Sequence, residues 1–276
     1  MKKVIFIIAV LLVSVLITAC TGSSDTADSS DSASSTAPDS TAGESQETEN
    51  STKPEDSEMS TEPDNTTEAP TEQTYPINGK TFIFLGSSVT YGSASGGYSF
   101  ADYIRDDYDC TCIKEAVSGT TLVDNGSDSY VQRMLKIDKT IDADHFICQL
   151  STNDASQGKP LGKVSESMEL EDFDTRTIIG AMEYIICYAK ETWDCPVSFY
   201  TGTKYDSVAY GKMVDALYEL QEKWGIGIID LWNDEEMNSI SESKYNSYMS
   251  DPIHPNRLGY KVWWTPKFVE FLEKYE

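Results

Sequence analysis

Five short β-prone runs follow one another along the C-terminal part of this chain, and most of them end in small or polar residues. They are Phe82–Leu85 before Gly86-Ser87-Ser88, Thr111–Val117 before Ser118-Gly119-Thr120-Thr121, Asp144–Leu150 before Ser151-Thr152-Asn153-Asp154, Pro196–Thr201, and Gly225–Leu231. Runs of this length, rich in aliphatic and aromatic residues and bounded by Gly, Ser or Asn, read as strands. Between them the apolar residues recur at helical spacing. Tyr98–Ile104 and Tyr130–Lys136 read as short helices, and Asp174–Lys190 and Ser207–Trp224 as long amphipathic ones. Tyr260–Tyr275 reads as a closing helix interrupted near Pro266. Strands that alternate with helices at this spacing imply a mainly parallel sheet covered on both faces, an α/β fold. Ligands of such sheets bind beyond the carboxyl ends of the strands.

Only part of the 276 residues can build that fold. Lys2 and Lys3 precede a sixteen-residue apolar run, Val4–Ala19, and then Cys20. The run is short for a membrane span, which takes about 20 residues. With small residues before the cysteine, the segment resembles a bacterial lipoprotein signal, with residues 1–20 cleaved or anchored at a lipidated Cys20. From Thr21 to Thr74, Ser, Thr, Asp, Glu and Pro dominate, Lys53 is the one basic residue and aromatic residues are absent. Such a segment cannot bury enough apolar area to offset its conformational entropy, so residues 21–74 are expected to be a disordered linker. As a flexible coil it spans about 40 Å, and more with self-repulsion. It carries about half of the net charge of −25. The remaining residues, 75–276, fit one domain. That domain is expected outside the cytoplasm, tethered to the cell membrane. It is acidic, which argues against nucleic acid or anionic lipid as a partner. Oligomeric state is not readable. Cys110, Cys112, Cys148, Cys187 and Cys195 are odd in number and read mostly as small core residues, with no disulfide assignable.

The chemistry-bearing residues fall at strand ends and in one late loop. Ser88 follows the first strand through a tight turn, a place where a hydroxyl can be presented to a cleft. The chain has two histidines. His145 lies at the start of an apolar run, the wrong end of its strand for catalysis, and reads as structural. His254 lies in a Pro-bounded polar loop, and Asp251 precedes it by three residues. A carboxylate at that spacing can hold one imidazole nitrogen while the other faces a serine, the nucleophile–base–orienter arrangement of acyl transfer. A metal site built from Cys110, Cys112, His145 and Cys148 is disfavoured, because no Cys-x-x-Cys pair exists and the alternation fits strand packing. No cofactor is called for. Trp232-Asn233 and Tyr91 are candidates for lining a cleft, whereas the other tryptophans read as core.

In order along the chain, Gly86-Ser87-Ser88, Gly119, Asn153-Asp154 and Asp251-x-x-His254 resemble the SGNH (GDSL-like) hydrolase family, over about Lys80 to Tyr260. The resemblance implies a flavodoxin-like three-layer α/β/α sandwich and an esterase, lipase or carbohydrate deacetylase activity. It makes Ser88 the nucleophile, His254 the base and Asp251 its orienting acid. It also places the Ser88 and Gly119 N–H groups and the Asn153 amide in an oxyanion hole. Two positions depart from the family pattern: Ser87 stands where Asp is usual, and Ser151 where the third block usually opens with Gly. Strand alternation is expected to turn Ser87 away from Ser88.

Together these features predict an extracytoplasmic serine esterase that removes small acyl groups, with acetyl favoured, from carbohydrate, without cofactor or metal. The absence of a long apolar lid in the sequence disfavours a fatty-acyl lipase. A non-catalytic glycan-binding lipoprotein on the same fold, or a carbohydrate O-acyltransferase using the same triad, are the alternatives.

Overall fold

A computed structural model describes residues 74–275. The expected signal, Cys20 and almost all of the linker lie outside the described residues. In chain order the elements are β1 (Thr81–Gly86), α1 (Ser88–Tyr91), α2 (Phe100–Asp107), β2 (Thr111–Ala116), α3 (Tyr130–Met134), β3 (His145–Gln149) and α4 (Thr152–Ser156). They continue with α5 (Ile178–Trp193), β4 (Val197–Tyr200), α6 (Val208–Trp224), β5 (Gly227–Ile229), α7 (Glu235–Asn238), α8 (Glu242–Tyr248) and α9 (Arg257–Gly259). A π-helical turn (Tyr260–Trp264) then leads into α10 (Thr265–Glu273).

All five strands run parallel, in the order β2-β1-β3-β4-β5. The α/β class and the five-stranded parallel sheet expected from the sequence are what the chain adopts. The alternation within β1 explains the layers. Ile83 and Leu85 point into a core shared with α3, α5 and α6, where Met134, Ile186, Leu217 and Phe199 are buried. Phe82 and Phe84 point the other way, into a core with α2 and α10. There Phe100 and Phe268 stack with ring centroids 3.8 Å apart. A strand buried on both faces has to be apolar throughout, and Phe82–Leu85 is.

Boundaries differ from the sequence reading where caps intervene. The long helix starts at Ile178, four residues later than Asp174, because the Thr177 hydroxyl accepts the Gly180 N–H as its N-cap. Gly225 and Ile226 do not belong to β5; Gly225 closes α6 as its C-cap. The closing helix is irregular before Pro266 rather than at it. Thr265 N–H reaches back to Tyr260 O across the widened turn, and Pro266, lacking an N–H, sits in the first turn of α10.

His145 sits at the N-terminal end of β3, buried, with Nε2 2.7 Å from Ser198 Oγ. Burial lowers its pKa to about 4. Cys110, Cys112, Cys148, Cys187 and Cys195 are all free thiols. All five tryptophans are buried. Trp232 packs against Tyr205 and Tyr210, so it belongs to the core and is not an exposed stacking surface.

Candidate active site

The site gathers at the carboxyl ends of β1, β2 and β3. β1 ends at Gly86, where a Cβ would lie 1.8 Å from Thr90 Oγ1, so only glycine permits the tight turn into α1. Ser87 is the N-cap position and Ser88 the first residue of α1. The turn, not strand alternation, therefore separates the two hydroxyls. Ser87 is fully buried beside the Tyr130 hydroxyl, and the two oxygens face one another without a well-formed hydrogen bond. Ser88, 8% exposed, points to His254, with Oγ 2.8 Å from Nε2.

Four side chains from distant parts of the chain hold α1 and the strand end that leads into it. Gln149, at the last position of β3, offers one amide oxygen to Ser87 N–H at 2.9 Å and to Thr90 Oγ1 at 2.9 Å. Tyr200, at the end of β4, meets Thr90 Oγ1 at 2.6 Å. Tyr260, in the π-helical turn, donates its hydroxyl to Val89 O at 2.7 Å. Arg133, buried in α3, donates to Gly86 O at 2.7 Å and to Thr120 Oγ1 at 3.0 Å. Sequence reasoning passed over all four. The signal for Gln149 was a lone amide at the end of an apolar strand, and for Arg133 a guanidinium at a core-facing helical position.

His254 is fixed from the other side. Its Nδ1 lies 2.8 Å from Asp251 Oδ2 and 3.0 Å from Oδ1. Asp251 Oδ1 also accepts the N–H groups of Ile253 and His254, at 2.8 and 2.9 Å. The short loop is closed by an antiparallel bridge between Met249 and Pro255. Partial burial pushes the Asp251 carboxyl up, but the N–H donors and the imidazole outweigh it and hold the pKa below the ordinary value. An ionised carboxylate only accepts, so it selects the Nδ1–H tautomer and leaves Nε2 to accept the Ser88 proton.

The other strand ends converge on the same place. Gly119 follows β2 with φ +82°, a left-handed conformation that disfavours any side chain. Asn153 lies in the first turn of α4 and gives one side-chain N–H to Thr120 O at 2.9 Å, leaving its second N–H for another acceptor. Its neighbour Asp154 is fully buried and accepts Leu122 N–H at 2.8 Å and Val123 N–H at 3.0 Å. Burial raises the Asp154 pKa despite bonds from Ser151 and the two amides. The loop that carries Gly119 is thus latched to the helix that carries Asn153. Ser151, the departure in the third block, caps α4 by accepting Asp154 N–H at 3.3 Å. Tyr91, 44% exposed, lies one turn beyond Ser88, while Lys159 and Lys163 lie on the loop after α4.

Comparison with curated protein sequences returns no match. Among solved structures, a Lactobacillus plantarum protein is 22% identical with a TM-score of 0.62, over 72% of this chain and 99% of that one. A member of the lipolytic G-D-S-L family from Veillonella parvula is 15% identical, TM-score 0.51, over 70% and 97%. An acetyl xylan esterase is likewise 15% identical, TM-score 0.51, over 69% and 98%. These likenesses extend the agreement in fold. The model of the GDSL-like lipase/acylhydrolase family matches residues 84–262, which include Ser88, Gly119, Asn153, Asp251 and His254. On that match, the chain belongs to the GDSL-like lipase/acylhydrolase family.

Proposed function

We propose that this family member is a serine esterase that removes small acyl groups, acetyl foremost, from carbohydrate outside the cytoplasm. The observation that carries the reading is the continuous line from Ser88 Oγ through both nitrogens of His254 to Asp251, each link 2.8 Å. Ser88 Oγ attacks the ester carbonyl carbon while its proton passes to His254 Nε2. The imidazolium is stabilised by Asp251. The carbonyl oxygen, now negative, accepts the N–H groups of Ser88 and Gly119 and the free N–H of Asn153. Collapse breaks the bond to the alcohol oxygen, which leaves with the proton from Nε2. Water then attacks the acyl-enzyme, gives a proton to His254 and releases the acid, and the proton returns to Ser88 Oγ.

Carbohydrate as the alcohol rests on the acidic domain, on the exposed ring of Tyr91 near the nucleophile, and on likeness to an acetyl xylan esterase. The extracytoplasmic setting rests on the segment ending at Cys20, which we propose is lipidated, with residues 21–74 as a linker. Loss of acyl-chain labelling in Cys20→Ser, with release of the protein from the membrane fraction, tests that part.

The esterase is tested by hydrolysis of p-nitrophenyl acetate by the full chain and by its Ser88→Ala and Ser87→Ala variants. Activity and fluorophosphonate labelling should be lost in Ser88→Ala, with turnover falling by several orders of magnitude, and retained in Ser87→Ala. A folded wild-type protein that neither turns over nor labels would overturn the reading and favour a glycan-binding role.

A further inference from the structure

Gly119 is exposed, and no atom beyond its chain neighbours lies within 4 Å of where a Cβ would sit. Packing therefore does not hold the left-handed turn that carries its N–H. Hydrogen bonds through the next residue do. The Thr120 hydroxyl donates to Val117 O at 2.7 Å and closes the turn around Gly119. The same hydroxyl accepts Arg133 Nη2 at 3.0 Å, and the Thr120 carbonyl accepts the Asn153 amide at 2.9 Å. Thr120 thus adjoins one of the groups assigned to the oxyanion hole, Gly119, along the chain and orients another, Asn153, through a hydrogen bond.

Arg133 connects that turn to the nucleophile. Its guanidinium is buried, which is costly for a cation unless every donor is met. Here each is met. Nε donates to Asp128 O at 3.0 Å, and Nη1 donates to Glu115 O at 2.9 Å and Glu115 Oε1 at 3.2 Å. Nη2 donates to Gly86 O at 2.7 Å as well as to Thr120. Gly86 O and Glu115 O lie at the ends of β1 and β2, the strands that lead to Ser88 and Gly119. One planar fork therefore fixes the spacing between the turn before Ser88 and the turn at Gly119. A lysine would carry the charge without the fork. We propose that Arg133, acting through Thr120, is the positioning residue of the oxyanion hole. It sets the distance between the Ser88 and Gly119 N–H groups and fixes the carbonyl against which the Asn153 amide is oriented. The assignment rests on the esterase reading and adds to it the residues that align its oxyanion donors.

The test is steady-state hydrolysis of p-nitrophenyl acetate by the full chain, with inhibition by phenylboronic acid as a second readout. Boron bonded to Ser88 Oγ is tetrahedral and carries an oxygen where the oxyanion forms. Its Ki therefore reads the alignment of the donors, whereas KM for the planar ester does not. Thr120→Val keeps the shape of the side chain and removes the hydroxyl. It should lower kcat by about 10–10^2-fold, leave KM little changed and raise the phenylboronate Ki by a similar factor. Thr120→Ser returns the hydroxyl and should recover most of both. Arg133→Lys should show the same paired loss, and adding Thr120→Val to it should cost little more, since both break one bond. The Thr120 pair decides the case if Arg133→Lys does not fold. Turnover by Thr120→Val within about twofold of wild type would overturn the proposal. So would a loss of kcat that leaves the Ki unchanged, or one that Thr120→Ser shares. A folded wild-type chain that neither turns over nor labels with fluorophosphonate would instead overturn the esterase reading, and the positioning role with it.

Discussion

The carboxylates near the site do different work, and their surroundings say which. Asp251 is held below the ordinary carboxylate value, so it stays ionised as pH falls through the range in which the enzyme would be assayed. The acid limb of kcat/KM is therefore not expected to report Asp251. Asp251→Asn should cost about 10^4 in kcat through the wrong imidazole tautomer, with KM little changed, as steady-state kinetics would show. Removing the free donor in Asn153→Ala should lower kcat by about 10^2–10^3, measured against p-nitrophenyl acetate. Asp154 is the opposite case to Asp251, because burial raises its pKa. In the window between the unfolded value of 3.8 and the raised folded value, the folded chain binds more protons than the unfolded one. Its contribution to stability is therefore fully present below 3.8 and is lost as pH rises through the window. Urea unfolding of wild type and Asp154→Asn across pH 4 to 7 should show the wild type losing ground to the variant as pH rises. The variant should also have reduced kcat, because an amide cannot accept both Leu122 and Val123 N–H with the same geometry.

At the level of elements, α1 is four residues long and has no side-chain N-cap bond, so its position is imposed from outside. Gln149→Leu keeps the bulk of the side chain but removes the oxygen shared by Ser87 N–H and Thr90 Oγ1. The variant should lose about 1–3 kcal/mol in chemical denaturation and lose activity by misplacing Ser88. Much of this architecture is readable from sequence, and the limits of the reading are physical. The strands announce themselves because β1, β3 and β4 are buried and must be apolar. Ser88, Gly119, Asn153 and His254 are legible because each ends a strand or sits in a short polar loop. α4 is not, because Thr152–Ser156 is stabilised by the Ser151 cap and the Asp154 latch rather than by apolar periodicity. The π-helical turn is not legible either, since its widening serves contacts such as Tyr260 to Val89, between residues far apart in sequence. For the same reason the separation of Ser87 from Ser88 was anticipated with the wrong cause, a strand rule applied where the strand has already ended.

For the molecule as a whole, His145 carries a stability cost at low pH. Its folded pKa of about 4 lies below the ordinary 6.5, so the unfolded chain binds the extra proton between those values. Stability should be fully present above about pH 6.5 and fall as pH drops towards 4, by up to about 3 kcal/mol from this one group. His145→Gln should flatten that slope in denaturation measurements, whatever its effect at neutral pH.

The Ser88–His254 hydrogen bond joins residues 166 positions apart, near opposite ends of the described chain. Contacts of such separation are entropically slow to close and form only when the intervening chain is largely ordered. During refolding, a chain whose sheet has formed but whose last loop has not yet docked leaves Ser88 unpaired, and so is chemically silent. Recovery of activity during refolding should therefore trail recovery of the sheet, making turnover a late reporter of a finished fold.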